Sequence, residues 1–327
     1  MITVRQVAFD DADARALWAA QQTELLERYG EPDLEPGIDP AGVIVSLVGN
    51  HADGAPIATA LLRWSPYGTG AGSAEIKRLF VLPEHRGHGH SRVLMGAIEA
   101  AARKAGATTL VLETGTEQPE ALALYARIGY HRIPNFGAYK GEPNSICFAR
   151  ELPTRVLVVN GTIGAGKTSV GWQVGDILKE RGVRHGSIDG DALCQAEPTH
   201  PDDPFNQSLF FENLAAVAPV YRRRGFGCMI IPRVVEDEAD RGRYIDALTG
   251  PGGPAEVTIV RVTASEATRM ARIKHREPEG YWQEWGFART VELEDSLNSL
   301  DLDDAVVTNE GRDAKQTAEE LLDTIGW

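Results

Sequence analysis

Residues 161–168 read Gly-Thr-Ile-Gly-Ala-Gly-Lys-Thr and satisfy the pattern Gly-x-x-x-x-Gly-Lys-Ser/Thr at every position. The six residues before them, Arg-Val-Leu-Val-Val-Asn, are apolar and β-branched without alternation, as in a strand buried on both faces. An amphipathic run over 169–181 follows. Strand, glycine-rich loop and helix in that order place the strand inside a parallel sheet covered by helices. The chemistry follows from the residue types. Gly161, Gly164, Ala165 and Gly166 let backbone amides wrap a phosphate, and Ser169 continues the helix whose start attracts an anion. Lys167 reaches the outer phosphate oxygens, and the Thr168 hydroxyl is a ligand for Mg2+. ATP with Mg2+ is therefore the expected ligand of this half.

The chain has 327 residues, enough for two domains each with its own core. A strand pattern over 144–152 is interrupted at Pro153 and Thr154 before the apolar strand begins, so the boundary falls between 152 and 153. Too few residues stand there for a flexible tether. The net charge of −14 is shared unevenly: residues 1–152 hold 18 acidic and 14 basic side chains, leaving 29 and 19 for residues 153–327. Such a balance argues against a nucleic-acid partner, whose phosphates need a positive surface. No apolar run reaches 18 residues and the N-terminus lacks a secretory pattern, so neither a membrane span nor export is expected. Cys147, Cys194 and Cys228 lie far apart without metal-site or paired spacing, in keeping with a reducing cytoplasm.

Residues 1–152 mix helix and strand patterns. Helical spacing covers 11–29, with Asp11 or Asp13 as cap, then 91–105 and 118–128, the last ended by Gly129. Strands are expected at 43–49, 56–64, 74–82 and 109–114. The apolar strand carrying Glu75, Leu79 and Val81 runs into Arg86-Gly87-His88-Gly89-His90-Ser91 and then a helix. A glycine turn, an arginine and a helix start together suit a diphosphate. His85, His88 and His90 give no clear metal-ligand geometry.

These residues resemble the signature of the GNAT acyl-CoA N-acyltransferases, with Arg86, Gly89 and Ser91 at the three positions that hold the coenzyme A pyrophosphate. Ser91 departs from the usual Gly or Ala. Leu124-Tyr125-Ala126-Arg127-Ile128-Gly129-Tyr130 is similar to the superfamily's later motif, which puts Tyr125 in the role of proton donor to the departing thiolate. The resemblance spans about residues 1–152 and implies acetyl-CoA as donor, with Leu79, Val81, Arg86, Gly87, Gly89 and Ser91 around it. An attacking amine must lose a proton, and Glu75 is the candidate carboxylate. Its bland alternative is a salt-bridged strand residue. An acidic stretch (Glu24, Glu27, Glu31, Asp33, Glu35, Asp39), with Trp64 and Tyr67, stands where the superfamily places its acceptor loop. It would suit a cationic acceptor, or be only a solvated loop.

In the second half, strands are expected at 183–188, 227–231, 257–262 and 305–308, with helices over 265–276 and 314–325. Asp189-Gly190-Asp191, soon after the phosphate-loop helix, resembles small-molecule kinases of the gluconate, adenylylsulfate and shikimate kinase and chloramphenicol phosphotransferase type. That likeness makes Asp191 the base for an acceptor hydroxyl and Asp189 the metal-side partner; the alternative is that both cap the next helix. No aspartate ends the 227–231 strand, which is followed by Arg233 in a substrate-facing place. Arg272 and Arg276, with Arg269, resemble a lid over the γ-phosphate, and the turn at Asn309 lies beside adenine in the resembling kinases. Tyr281, Trp282 and Trp285 either stack on substrate or seal the lid.

The fold expected is α/β throughout: a mixed α/β GNAT domain over 1–152, then a phosphate-loop kinase domain over 153–327 with helices flanking a parallel sheet. Acetylation of a small-molecule amine and phosphorylation of a small-molecule hydroxyl follow, of the kind that modifies antibiotics or other natural products. The rival expectation is a regulatory protein-lysine acetyltransferase with a nucleotide-sensing second domain.

Overall fold

The computed structural model describes residues 2–30 and 37–327. Glu31, Asp33 and Glu35 of the acidic stretch lie outside the described residues. Two compact units divide between Leu152 and Pro153, where the sequence places the boundary.

The first unit runs β1 (Thr3–Val7), α1 (Ala12–Tyr29), β2 (Val43–Asn50), β3 (Pro56–Trp64), β4 (Ser73–Val81), α2 (His90–Lys104), β5 (Thr109–Gly115), α3 (Pro119–Arg127), β6 (His131–Ile133) and β7 (Ser145–Glu151). Its strands form one sheet in the order β1-β2-β3-β4-β5-β7-β6. β4 and β5 run parallel, while their other neighbours pair antiparallel. The Asp11 carboxylate accepts from the amides of Asp13 and Ala14 and so caps α1, as its position predicts. α2 presents Leu94, Met95, Ile98 and Ala102 to the sheet, all fully buried, whereas α1 packs Ala14 and Leu17 against Val48. The edge strand β1 was not expected, because charge and polarity interrupt its short pattern.

Two irregularities open this sheet. β4 and β5 pair only from Ser73/Thr109 to Ile76/Leu112, and beyond that point their ends are not paired with each other. On the other side of β4 the register with β3 slips between Leu61/Lys77 and Thr59/Phe80, which inserts one extra residue in β4. Arg78 sits in that bulge with φ of 56°, in the left-handed region that side chains other than glycine rarely adopt.

The second unit runs β8 (Arg155–Asn160), α4 (Lys167–Glu180), β9 (His185–Ser187), α5 (Gln207–Arg223), β10 (Cys228–Pro232), α6 (Asp240–Leu248), β11 (Glu256–Thr263), α7 (Glu266–Arg276), α8 (Tyr281–Ser299), β12 (Ala305–Thr308) and α9 (Ala314–Ile325). Its strands are all parallel, in the order β12-β11-β8-β10-β9, so β8 is central. The unbroken apolar pattern of β8 is explained by its two faces. Leu157 and Val159 join Val170, Val174 and Leu178 of α4 and Leu321 and Leu322 of α9. Val156 and Val158 join Phe210 and Leu214 of α5 and Tyr244 of α6. Among the described residues no helix is long and apolar enough to cross a membrane.

Candidate functional site

In the first unit the splayed ends of β4 and β5 frame two adjoining cavities. One, of about 190 Å³, is lined by Leu79, Phe80 and Val81 from β4 and by Arg86, Gly87, Gly89, His90 and Ser91 from the turn into α2. The structure thus brings together the six residues expected around the coenzyme. Gly89, at φ of 80°, stands at the cap position of α2, so no side chain occupies the donors of the helix start. Arg86 is half-buried; its Nε donates to the Val81 carbonyl at 2.9 Å and its Nη2 to a Glu24 carboxylate oxygen at 2.5 Å. Glu24 also pairs with Arg28, which reaches Glu120 at 2.8 Å. Burial, then the neighbouring His88, lowers the pKa of His90 and keeps that ring neutral at the start of the helix.

The second cavity, of about 250 Å³, lies between β4, β5 and the segment leading to β7. Gln21, Leu25, Leu79, Gln118 and Tyr125 line both cavities. Tyr125 packs against Tyr130 and Phe148 with ring centroids 5.9 and 5.8 Å away. Burial, and second the charge of Glu113, push its hydroxyl pKa well above the ordinary phenol value, so the group stays protonated across the physiological range.

Glu75 does not reach either cavity. It is fully buried, with one carboxylate oxygen accepting from Arg63 Nε at 2.9 Å and Nη2 at 2.7 Å, and the other 4.0 Å from Lys77 Nζ. A carboxylate clasped by a guanidinium inside the sheet lacks access to an amine, so the salt-bridged alternative describes it. The carboxylates that do line the second cavity are Glu113 and Glu142. Glu113 was missed, although a lone acid in the apolar run Thr-Leu-Val-Leu-Glu-Thr-Gly is a sequence signal for it. Gln21 and the bulged Arg78 were missed too, and no local pattern announces either.

In the second unit the loop 161–168 takes the form its glycines allow. Gly161 has φ of 141°, and a Cβ there would meet the Val262 carbonyl oxygen at 2.3 Å; at Gly164, with φ of 80°, it would meet the Arg269 carbonyl oxygen at 2.7 Å. Only glycine fits either place. Other elements grip the loop from outside. Arg272 donates to the carbonyls of Gly164, Ala165 and Asn309 at 3.2, 3.0 and 2.8 Å, Asn309 Nδ2 to Ala165 at 2.9 Å, and Thr290 to Ile163 at 2.7 Å.

A cavity of about 800 Å³ opens above this loop. Gly164, Gly166, Lys167, Thr168 and Ser169 form its floor, and Asp191, Arg233, Arg272, Arg276 and Arg289 are on its walls. Five cationic side chains therefore face two acids, Asp191 and Glu236, in a chain of net charge −14. Lys167 Nζ donates to the Thr162 carbonyl at 3.0 Å. Burial, and then the charges of Arg276 and Arg233 against the opposing Asp191, lower its pKa to about 8. Arg233 is almost fully buried and donates to Asp191 at 3.1 Å and Gln207 at 2.8 Å over the ring of Phe210.

Two residues stand elsewhere than expected. Asp189 does not line the cavity; its carboxylate accepts from the amides of Asp191 and Ala192, so it caps a short turn. Asn309 is buried and braces the loop 161–168, its Oδ1 accepting from Thr317 at 3.0 Å. Arg272 also holds loop carbonyls, while Arg276 is at the cavity wall with its Nε on Glu277. Trp282 and Trp285 line the mouth from the first turns of α8, a helix the aromatic run had concealed.

Residues 12–130 match the model of the Acetyltransferase (GNAT) family, and the N-terminal half of the chain carries a GNAT acetyltransferase domain. An IAA acetyltransferase of Azospirillum brasilense is 40% identical over 84 residues, 26% of this chain and 55% of that protein. The chain thus spans about half the length of the curated relative it matches. Two solved structures are similar over 46% of the chain. A candidate acyl-CoA N-acyltransferase from Klebsiella pneumoniae is 30% identical, with a TM-score of 0.40 and 97% of its length covered. An IAA acetyltransferase from Bacillus cereus is 15% identical, with a TM-score of 0.35 and its full length (100%) covered.

Proposed function

We propose that the chain is bifunctional: acetyl transfer from acetyl-CoA to a small-molecule amine in the first unit, and phosphoryl transfer from MgATP to a small-molecule hydroxyl in the second. The observation that carries the first activity is Tyr125, which stands on the wall shared by the Arg86 cradle and the cavity behind it. Residues Arg86 to Ser91 would hold the diphosphate, with Arg86 exchanging Glu24 for phosphate oxygens. The amine nitrogen bonds to the thioester carbonyl carbon and the carbon–sulfur bond breaks. Glu113 accepts the proton that the amine loses. Tyr125 gives a hydrogen bond to the departing sulfur; its raised pKa suits a donor that stays neutral until negative charge develops beside it.

The second activity rests on the phosphate loop, with Lys167 and four arginines around a single cavity. Lys167 meets the outer phosphates and Thr168 supplies a hydroxyl for Mg2+. Asp191, fixed by Arg233, takes the proton of the acceptor hydroxyl. Arg276 meets the charge that spreads over the transferring group, while Arg272 keeps the loop in shape. Amine and hydroxyl groups on small natural products would suit the two reactions. The test is mass spectrometry of amino acids, amino sugars, nucleosides and antibiotics incubated with acetyl-CoA, MgATP or both. Gain of acetyl with the first and of phosphate with the second bears the proposal out. Acetylated protein lysines with no small-molecule product would favour the regulatory alternative.

A further inference from the structure

The second cavity of the GNAT domain has walls of opposite charge. Lys77 and Arg78, consecutive in β4, are on its lining, as are Glu113 of β5 and Glu142 of the segment leading into β7. Lys77 is held in place, its Nζ donating to the buried Tyr139 hydroxyl at 2.5 Å. Arg78 reaches the cavity from the bulge at a positive φ of 56°. A residue other than glycine is strained in the left-handed region, and such strain concentrates at functional sites. Gln21, on the wall shared with the coenzyme cradle, donates through Nε2 to the Leu79 carbonyl at 3.2 Å, while its buried Oε1 has no hydrogen-bond partner.

From this juxtaposition we infer that the acetyl acceptor is a small zwitterion, a primary amine that also carries a carboxylate, as in an α-amino acid. The carboxylate meets Lys77 and Arg78; the amine meets Glu113 and presents an N–H to Gln21 Oε1 beside Tyr125. A simple cationic amine would satisfy Glu113 but leave its apolar or positive remainder against two cations, which a recognition site rejects. The cavity, about 250 Å³, is below the usual range for drug-sized ligands, so an amino-acid-sized molecule fits where an amino-sugar antibiotic does not. The cationic acceptor suggested by the acidic stretch is replaced by one of balanced charge. This inference rests on the acetyl-transfer reading of the same unit.

The full chain is to be assayed with acetyl-CoA against matched pairs, each an amino acid and the amine left by removing its carboxyl group, with coenzyme release followed in parallel with calorimetric binding to the coenzyme-loaded protein. The carboxylate-bearing member of a pair should show kcat/KM at least about tenfold higher, the worth of one charge-assisted contact. Arg78→Asn keeps a residue that tolerates the left-handed backbone and removes the cation. It should raise KM for amino acids and draw the ratio toward one. Equal kcat/KM within pairs, or a preference for the decarboxylated member, would overturn the inference and leave acetyl transfer standing. Amino acids that bind selectively without being acetylated would keep the zwitterion site and sink the transfer reading. Neither binding nor reaction by either member would sink both.

Discussion

Two side chains have pKa values displaced by burial, Tyr125 in the direction its proposed work needs and Lys167 against it. Tyr125 is pushed up by burial and by Glu113, so it is a neutral donor at any physiological pH. Replacing it with Phe removes the donor and little volume: kcat for acetyl transfer should fall by about 10², with acetyl-CoA binding by calorimetry essentially unchanged. An unchanged kcat would remove Tyr125 from the mechanism. Lys167 is displaced the other way, to about 8, by burial and neighbouring arginines. Its charged form binds phosphate, so affinity for MgATP should be flat below that value and weaken as pH rises from about 8 to 9, with a proton taken up on binding in that interval. Calorimetry in buffers of different ionisation heat reads both, and a flat affinity would mean that Lys167 does not meet the phosphates. That these two residues would line cavities was legible because each belongs to a dense motif. Glu75 was misread as a base because a carboxylate in a strand near the cradle carries no mark of its partners. Only the fold reveals that Arg63, twelve positions earlier, lies across from it in β3 and closes it off.

Each cavity is made where an element stops behaving regularly. In the second unit the irregularity is written in the sequence: Gly161 and Gly164 hold backbone angles and approaches that a Cβ would obstruct at 2.3 and 2.7 Å from carbonyl oxygens. Gly164→Ala should therefore destabilise the second unit by about 2 kcal/mol or more and abolish detectable MgATP binding. Thermal unfolding with and without MgATP measures both effects, and a variant that still binds would show that the loop can be rebuilt. In the first unit the irregularity is hidden. Nothing in Glu-Ile-Lys-Arg-Leu-Phe-Val marks Arg78 as the bulged residue, since the run has strong β propensity and an ordinary strand would satisfy it. The loss of β4–β5 pairing after Ile76 is equally silent, because it depends on the strand between which β4 must also register. Helix α8 was missed for a related reason: Tyr281, Trp282 and Trp285 look like a β or substrate-stacking cluster until the whole of 281–299 is read as one helix with Leu293 and Leu297 on its buried face.

At the scale of the molecule, an acidic chain places arginines on the walls of a cavity in each compact unit, Arg86 in the first and Arg233, Arg272, Arg276 and Arg289 in the second. Under the proposed reading, the arginines around Lys167 would face a small phosphorylated ligand, while the chain's net acidity would disfavour a polyanion such as a nucleic acid. Two sites built from separate residue sets should answer separately to their ligands. A ligand stabilises the state that binds it by RT ln(1 + [L]/Kd), about 2.7 kcal/mol at a hundredfold excess over Kd, and local opening reports that gain only where the bound unit must open. Hydrogen exchange on the full chain should accordingly show acetyl-CoA slowing amides around 79–91 and 118–125, and MgATP slowing those around 161–169 and 264–290, each with little change in the other unit. Slowing of the first set alone, with MgATP at millimolar concentration leaving 161–169 untouched, would confine the activity of this chain to its GNAT domain. Slowing of the second set by acetyl-CoA would require a coupling free energy between the two sites, which separate ligation does not supply.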